Sequence, residues 1–504
     1  MSFSSYSKKV IKILTPIILP VFTVSCVSKK ESEKKPNVLF ILTDQLRSGE
    51  LGVYGGRNIE TPHLDRLAHQ GILFHNANSM SPLSTPYRGT LMSGMYPTHS
   101  GILINSVRAY PNHQYIARIF KNNGYTTGYI GKWHLGRHTG GDSNPLLQFI
   151  PPGKERLGFD DHWEAYNYMH TFNEGFYYKD EPERLYMDKF ETSFEIDRVI
   201  SFLENQKNKP EPFFLMVSIH PPHPPFSKDN CPEGYWEMIQ EPFIWNPNVN
   251  QIDRENLNEA MRGYLALTKN IDDNLGRLMR YLDESSLAEN TIVVFTSDHG
   301  EMMGAHGYKG KGRAYTESVN VPLIIRWPGH IEPGIETNFP QSSIDHLPTL
   351  CSMAGIDVPE PVDGIDISGL WNNKIETPVR NAVLMANYSA GSRRGLFITG
   401  YKEKTLSDPI EWRSVRTERY TYVKYIDGSE ELFDNINDKY QLNNLAKDDA
   451  LNHVKKEMTD HLERLLSESN DKLYPGDYYS DWYDSEKINL LKTATGMIRY
   501  ENDE

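Results

Sequence analysis

The sequence predicts an α/β protein with a central, mostly parallel sheet flanked by helices, and a smaller C-terminal α+β subdomain carrying an antiparallel sheet. Three observations predict it. Short continuous apolar runs recur along the chain. Helical patterns lie between them. Near the C-terminus, apolar residues switch to alternation with polar ones.

The apolar runs are Val38–Leu42, Thr127–Ile130, Phe213–Ile219, Ile292–Phe295 and Leu323–Ile325. Continuous and not alternating, they read as parallel strands buried on both faces. Thr61-Pro62 starts a helix as N-cap and first-turn proline, with Leu64 and Leu67 facing inward and Gly71 ending it. A second helix is predicted over about Asn270 to Asp283, with Ile271, Leu275, Leu278, Met279 and Leu282 on one face. Trp412–Tyr425 alternates around Val415, Tyr420, Tyr422 and Val423, as a half-exposed antiparallel sheet does, and Asn452–Leu465 reads as a helix covering it. The expected division is a catalytic domain over 37–385 and the subdomain over 386–504, with the last twenty residues poorly anchored and no internal repeats.

The 504 residues are 38% hydrophobic and 11% aromatic, enough for a sizeable core, so the chain is not a disordered one. A net charge of −14 argues against a nucleic-acid partner. It also requires a local positive cluster if the substrate is an anion. Three cysteines, Cys26, Cys231 and Cys351, exclude a disulfide scaffold and a zinc framework, and nothing decides whether one pair bridges.

Lys8 and Lys9 precede an apolar stretch, Ile13 to Val24, that is too short to span a bilayer; Ser25 and Cys26 follow. This resembles a bacterial lipoprotein signal, with Thr23 at the position usually aliphatic. Residues 1–25 are then the signal peptide and 26–36 a lipid-anchored flexible tether. The expected location is the periplasm or outer membrane of a Gram-negative-type bacterium, touching the membrane only through an N-terminal lipid.

In open α/β sheets, ligands bind beyond the carboxyl ends of the strands. Asp44-Gln45 follows the first apolar run, Lys132 and His134 the second, His220 and His223 the third, and Asp298-His299 the fourth. Two buried carboxylates repel, so a divalent cation between Asp44 and Asp298 is the natural solution. Oxygen donors favour calcium or magnesium, and His299 leaves manganese or zinc open. Either aspartate alone reads equally as a turn cap. Ser84 stands just before a predicted helix, Thr85 to Met92, with Pro86 in its first turn. There it has the field that favours anions, yet taken alone it reads as a helix cap.

Ser84-x-Pro86-x-Arg88 resembles the signature of the formylglycine sulfatases, in which a Cys or Ser is oxidised to an aldehyde. Gly131-Lys132-Trp133-His134, Thr61-Pro62-His63-Leu64-Asp65-Arg66-Leu67, Pro222-His223-x-Pro225 and Ser297-Asp298-His299-Gly300 also resemble that family. So do Lys311-x-x-x-Tyr315, Arg413-x-Val415-Arg416-Thr417 and Glu431-Leu432-Phe433-Asp434. The matches run in the family's order from about residue 37 to 446.

The resemblance implies an alkaline phosphatase-like fold and a formylglycine made from oxidised Ser84 by a serine-oxidising maturation enzyme. Its gem-diol attacks sulfur in line, the sugar alcohol leaves, and the sulfated diol collapses to aldehyde and sulfate. It implies Ca2+, with Mg2+ or Mn2+ open, at Asp44, Gln45, Ser84, Asp298 and His299. Lys132 and Lys311 neutralise the sulfuryl oxygens and Arg88 holds the diol and its neighbours. His223 is the candidate acid for the leaving alcohol and His134 the base for diol collapse, and the two are interchangeable at this stage. Gln45 stands where many members carry aspartate, His299 where many carry asparagine, and Asn320 where arginine is frequent.

Candidate substrate contacts are Arg137, His138, Trp163, Tyr166, His170, His220, Arg393 and Trp412, aromatics for sugar faces and polar groups for hydroxyls. Trp163 to His170 is read as part of a long insertion after the Lys132 strand. The expected partner is a sulfated glycan or sulfated monosaccharide. Cleavage is expected from the chain end, at a 4-O- or 6-O-sulfate of galactose, N-acetylgalactosamine or N-acetylglucosamine. The rival readings are a phosphonate monoester or phosphodiester hydrolase on the same scaffold, and an unconverted, sulfated-glycan-binding lipoprotein.

Overall fold

The computed structural model describes residues 34–136, 145–372, 380–388, 411–485 and 489–498. Arg137, His138, Arg393 and the predicted signal lie outside the described residues. The described residues from Lys35 onward form one compact unit.

Eight strands build its central sheet. They are β1 Asn37–Thr43, β2 Ile72–Phe74, β3 Thr126–Lys132, β4 His162–Tyr166, β5 Phe213–Ile219, β6 Thr291–Ser297, β7 Leu323–Arg326 and β8 Ile335–Thr337. Their order across the sheet is β8-β2-β7-β6-β1-β5-β3-β4. All run the same way except β7, which is antiparallel to both neighbours. The expectation of a parallel strand at Leu323–Ile325 is therefore corrected. A buried apolar run looks alike in either direction, because the connection sets direction and the run does not. A second correction concerns Trp163: residues 162–166 are no insertion but the edge strand β4, paired to β3.

Both faces of the sheet are covered, which explains the unbroken apolar runs. Val38, Phe40 and Leu42 of β1 enter one core cluster, while Leu39 and Ile41 enter the other. At roughly 1.5–3 kcal/mol per fully buried aliphatic or aromatic side chain, this burial is the main favourable term for the sheet. Helices α1 Pro62–His69, α2 Ser84–Ser93, α3 Glu191–Gln206, α4 Asn258–Glu284 and α5 His346–Met353 flank it. Leu64 and Leu67 of α1, Val199 and Phe202 of α3, and Ile271 and Leu275 of α4 pack on one face. Tyr87 and Leu91 of α2 and Leu347 and Leu350 of α5 pack on the other. The helix predicted from Asn270 begins twelve residues earlier: Gly263 to Thr268 are all buried, so that stretch has no amphipathic stripe to read.

Strands β9 Val383–Asn387, β10 Trp412–Arg416, β11 Tyr420–Tyr425 and β12 Glu430–Asp434 form the C-terminal antiparallel sheet. Helix α6 Asn452–Glu468 lies over it, with Met458 and Leu462 in the same cluster as Val415 and Tyr422. The tail is better anchored than expected: Leu490 is buried and the Ala494 N–H donates to the Thr98 carbonyl at 3.0 Å. Cys231 and Cys351 are buried and free. Among the described residues no helix is long and apolar enough to cross a membrane.

Register positions the chemistry. Thr43 at the end of β1 pairs with Ile219 on one side and Ser297 on the other. Asp44, His220 and Asp298 therefore leave the sheet at one level. In β3, Gly131 pairs with Ser218, which brings Lys132 to the same edge. Gly131 has φ +97°, and a Cβ there would stand 2.3 Å from the Ser218 carbonyl oxygen, so glycine is required just before Lys132.

Candidate active site

Ser84 is the first residue of α2, but its side chain does not cap the helix; Leu83 occupies the cap position. Its Oγ instead lies 3.2 Å from Asp44 Oδ2 and 3.0 Å from His299 Nε2. The Thr85 hydroxyl donates to the His134 carbonyl at 3.0 Å, tying the start of α2 to the loop after β3. Gln45 (φ 72°) and His134 (φ 54°) adopt the left-handed backbone region, strain of a kind that concentrates at functional loops.

Three donor groups converge. Ligand atoms of Asp44, Asp298 and His299 lie within 4.8 Å of one another, and all three residues are buried. His299 Nε2 is 3.4 Å from Asp298 Oδ1 and 3.8 Å from Asp44 Oδ1. Its Nδ1 lies 3.1 Å from the Gly300 carbonyl, a bond that requires the proton on Nδ1 and leaves Nε2 as a lone-pair donor. Oδ2 of Asp298 is buried and accepts no hydrogen bond among the described residues. That oxygen, with Arg88 Nη2 3.7 Å away, and the facing imidazole nitrogen fit a divalent cation.

The charges support this. Burial favours a neutral Asp44, but Lys132 above all holds its pKa well below the ordinary value. Burial, reinforced by the Asp44 charge, pushes Asp298 up to about 7. A cation bound by both removes that conflict. Lys132 Nζ donates to Asp44 Oδ2 at 2.7 Å, and burial brings its pKa down to about 8. Arg88 Nη2 donates to the same Oδ2 at 3.2 Å, while its Nη1 donates to the Lys132 carbonyl at 3.0 Å and to Ser218 Oγ at 2.6 Å. Arg88 thus clamps the ends of three strands.

Gln45 is placed differently from the two aspartates. Its Nε2 donates to Glu301, and its Oε1 accepts from Lys311 Nζ at 2.7 Å. Its backbone N–H donates to Asp298 Oδ1 at 3.0 Å. Glu301, absent from the sequence-based candidates, therefore anchors the amide that holds Lys311. An acid two residues beyond His299 in a strand-end loop is the signal that marks it.

The histidines form a second group. His223 Nδ1 lies 2.8 Å from the Pro224 carbonyl, which leaves Nε2 free to exchange a proton. Its ring lies 4.8 Å from that of His220 and 6.1 Å from that of exposed His170. Burial, with Lys311 and Lys132 nearby, holds the His223 pKa well below the usual imidazole value. His134 stacks on Tyr168 at 4.8 Å, and the Lys132 ammonium lies 4.7 Å from that same ring. Tyr168, another residue missed by sequence reasoning, thus joins the lysine and the histidines; it lay within the quoted stretch as one aromatic among several.

Other expected substrate contacts sit elsewhere. Trp163 is in the core, against Tyr129 and Trp133 with Arg156 over its ring, and offers no surface to a ligand. Tyr166 is fully buried with its hydroxyl on Glu191. Trp412 is fully buried too; its Nε1 donates to the Gly312 carbonyl at 3.0 Å and braces the loop carrying Lys311. His220 is buried and neither ring nitrogen has a hydrogen-bond partner among the described residues. Asn320 accepts from the Ser48 hydroxyl at 2.6 Å and donates to the His75 and Ala77 carbonyls, a loop-bracing arrangement.

A buried acid pair, two ammonium groups and a serine at a helix start, on the carboxyl edge of a parallel sheet, define an anion-ester hydrolase site. The sulfatase family model matches residues 36–356, and the model described as N-sulphoglucosamine sulphohydrolase, C-terminal, matches 304–468. The chain is 36% identical over 465 residues to an ulvan-active sulfatase of Formosa agariphila, covering 91% of this chain and 86% of that protein. It is 28% identical to an endo-4-O-sulfatase of Bacteroides thetaiotaomicron, covering 90% and 96%. A Bacteroides fragilis structure provisionally named as the sulfatase YidJ superposes with a TM-score of 0.77 at 30% identity, covering 90% of this chain and all of that one. The chain belongs to the sulfatase family. It is a sulfuric ester hydrolase.

Proposed function

We propose that this enzyme hydrolyses sulfate esters of a sulfated glycan, through an aldehyde made from Ser84 and a divalent cation, calcium first, held by Asp44, Asp298 and His299. The carrying observation is the position of the Ser84 side chain, within hydrogen-bond reach of Asp44 and His299 and not on its own helix. The cation, when bound, supplies Lewis-acid polarisation of a sulfuryl oxygen. Oxidised to formylglycine, residue 84 supplies in its hydrate a nucleophilic oxygen and a second hydroxyl that makes sulfate release easy.

The chain's own groups do the rest. Lys132 and Lys311 neutralise the arriving sulfuryl group, held in place by Asp44 and Gln45. Arg88 keeps Asp44 oriented. His223 is neutral beside two ammonium groups; an arriving sulfate offsets them and raises its pKa, so that it protonates the leaving alcohol. His134 serves as the base for sulfate release.

Two of the relatives above are named for ulvan and for a 4-O-sulfate, and another relative, 24% identical, is named an N-acetylglucosamine-6-O-sulfatase. These names support a carbohydrate sulfate at a 4-O or 6-O position. Ser84 is only 1% exposed, so the sulfate taken is one that projects from the glycan, as on a chain-end sugar. Assay of matured protein against defined sulfated sugars, beside an aryl sulfate and an aryl phosphodiester, tests this reading. Sulfate release from the sugars supports it, and preference for the phosphodiester overturns it. We also propose that Cys26 is lipidated; fatty-acid labelling lost in Cys26→Ala checks that.

A further inference from the structure

On the same carboxyl edge, where the chain leaves β1, β2 and β8, a separate cavity of about 680 Å3 opens between the loop after β1 and the C-terminal sheet. It shares no lining residue with the catalytic cluster. Strand β10 makes the separation plain. Trp412, at its start, braces Gly312 beside Lys311, whereas Arg416, four residues on and roughly 13 Å along the strand, faces the cavity.

Arg416 is the unusual group there. It is 6% exposed and forms no ion pair within 4 Å among the described residues. Its Nε donates to Asn76 Oδ1 at 2.9 Å and its Nη1 to Thr316 Oγ1 at 3.2 Å, so two neutral side chains fix the fork. Nη2, with two N–H groups, donates to nothing among the described residues. A buried guanidinium without a counter-ion is costly, and it is normally paired. The acid whose charge acts on it, Glu317, lies beyond ion-pair distance and accepts from the Asn248 amide at 2.7 Å. Of the other wall acids, Glu50 is held by Arg47 and Glu336 by His75 at 2.8 Å, while Glu418 is exposed to solvent and forms no ion pair with Arg416. The rest of the wall is rich in amides and hydroxyls, among them Asn338, Asn435 and Tyr440, which suit sugar hydroxyls.

We infer that Arg416 and this cavity form a second, non-catalytic saccharide site, which takes an oxyanion-bearing sugar, a uronate or a sulfated unit. This rests on the reading that the substrate is a glycan. A fixed guanidinium with a free edge matches a carboxylate or sulfate in geometry as well as charge. The volume suits one or two sugar rings, so the site holds another stretch of polymer while a chain end is desulfated.

The test is calorimetric titration of full-length Lys132→Ala protein, whose catalytic anion site is weakened, with glucuronic acid, N-acetylglucosamine 6-sulfate, N-acetylglucosamine and sodium sulfate. At least one acidic sugar is expected to bind, and to lose ~10-fold or more in affinity when Arg416→Gln is added, the scale of one charge-assisted hydrogen bond. Arg416→Lys, which keeps charge but not the fork, is expected to lose several-fold and carries the test if Arg416→Gln does not fold. Single Arg416→Gln should hydrolyse an aryl sulfate at the parental rate. Binding unaffected by either Arg416 change, no binding at all, or equal binding of neutral sugar or of bare sulfate overturns the site. Absence of sulfate release from every sulfated sugar by the matured parent defeats the proposed function instead, and leaves the sugar titration readable.

Discussion

Ser84 Oγ lies 3.0 Å from Nε2 of His299. A residue that opens helix α2 thus presents its side chain to a ligand cluster built from the ends of β1 and β6, and its own helix amides are left to other partners. The chemistry expected of this enzyme follows from that relationship.

Removing the cation should remove activity. Treatment with a strong chelator is expected to lower aryl sulfate hydrolysis by ~10²-fold or more, with calcium restoring it best. Asp298→Ala should show the same loss without rescue. Full activity in chelated protein contradicts the role given to Asp44, Asp298 and His299.

The two lysines should matter for turnover more than for stability. Lys132→Ala and Lys311→Ala are each expected to lower kcat by ~10²–10³-fold, as removal of preorganised charge stabilisation does. Circular dichroism should show both folded. Glu301→Ala, which releases the Gln45 amide that holds Lys311, is expected to reproduce part of the Lys311 loss.

The two histidines are separable by leaving group. His223→Ala should cost ~10²-fold or more on a sugar sulfate and far less on nitrophenyl sulfate, whose phenolate leaves unaided. His134→Ala should affect both substrates alike. The reverse pattern exchanges their roles.

Beneath the site, Glu191 and Glu195 of α3 lie side by side. Burial pushes Glu191 up to about 8, and burial with the Glu191 charge raises Glu195 well above its ordinary value. Both pKa values are higher folded than unfolded. Their stabilisation is therefore complete below pH about 4.5 and is lost as pH rises through about 8. The melting temperature should fall as pH rises from about 4.5 through about 8, and Glu195→Gln should flatten that fall. An equal fall in the variant contradicts the assignment.

Much of this was legible in the sequence because both faces of the sheet are covered. Residues 38–42 and 213–217 had to be apolar without interruption, and the polar residues that follow marked the active edge. The direction of β7 was not legible, since Leu323–Ile325 is buried the same way in either sense. Nor was the start of α4, buried on all sides around Leu265. In the site, Asp44, Asp298 and Lys132 follow from register. Gln45 and Glu301 do not, because only the loop geometry shows an amide bridging an acid to Lys311. Trp163 illustrates the opposite error: an aromatic beside an active strand is more often core than sugar platform.

The most direct test is a peptide mass spectrum across Ser84 in active protein from its native host. The account predicts a peptide lighter by about two hydrogens than serine requires, the aldehyde that covalent catalysis here needs. Intact serine at position 84 in protein that hydrolyses sulfate esters at full rate would contradict it.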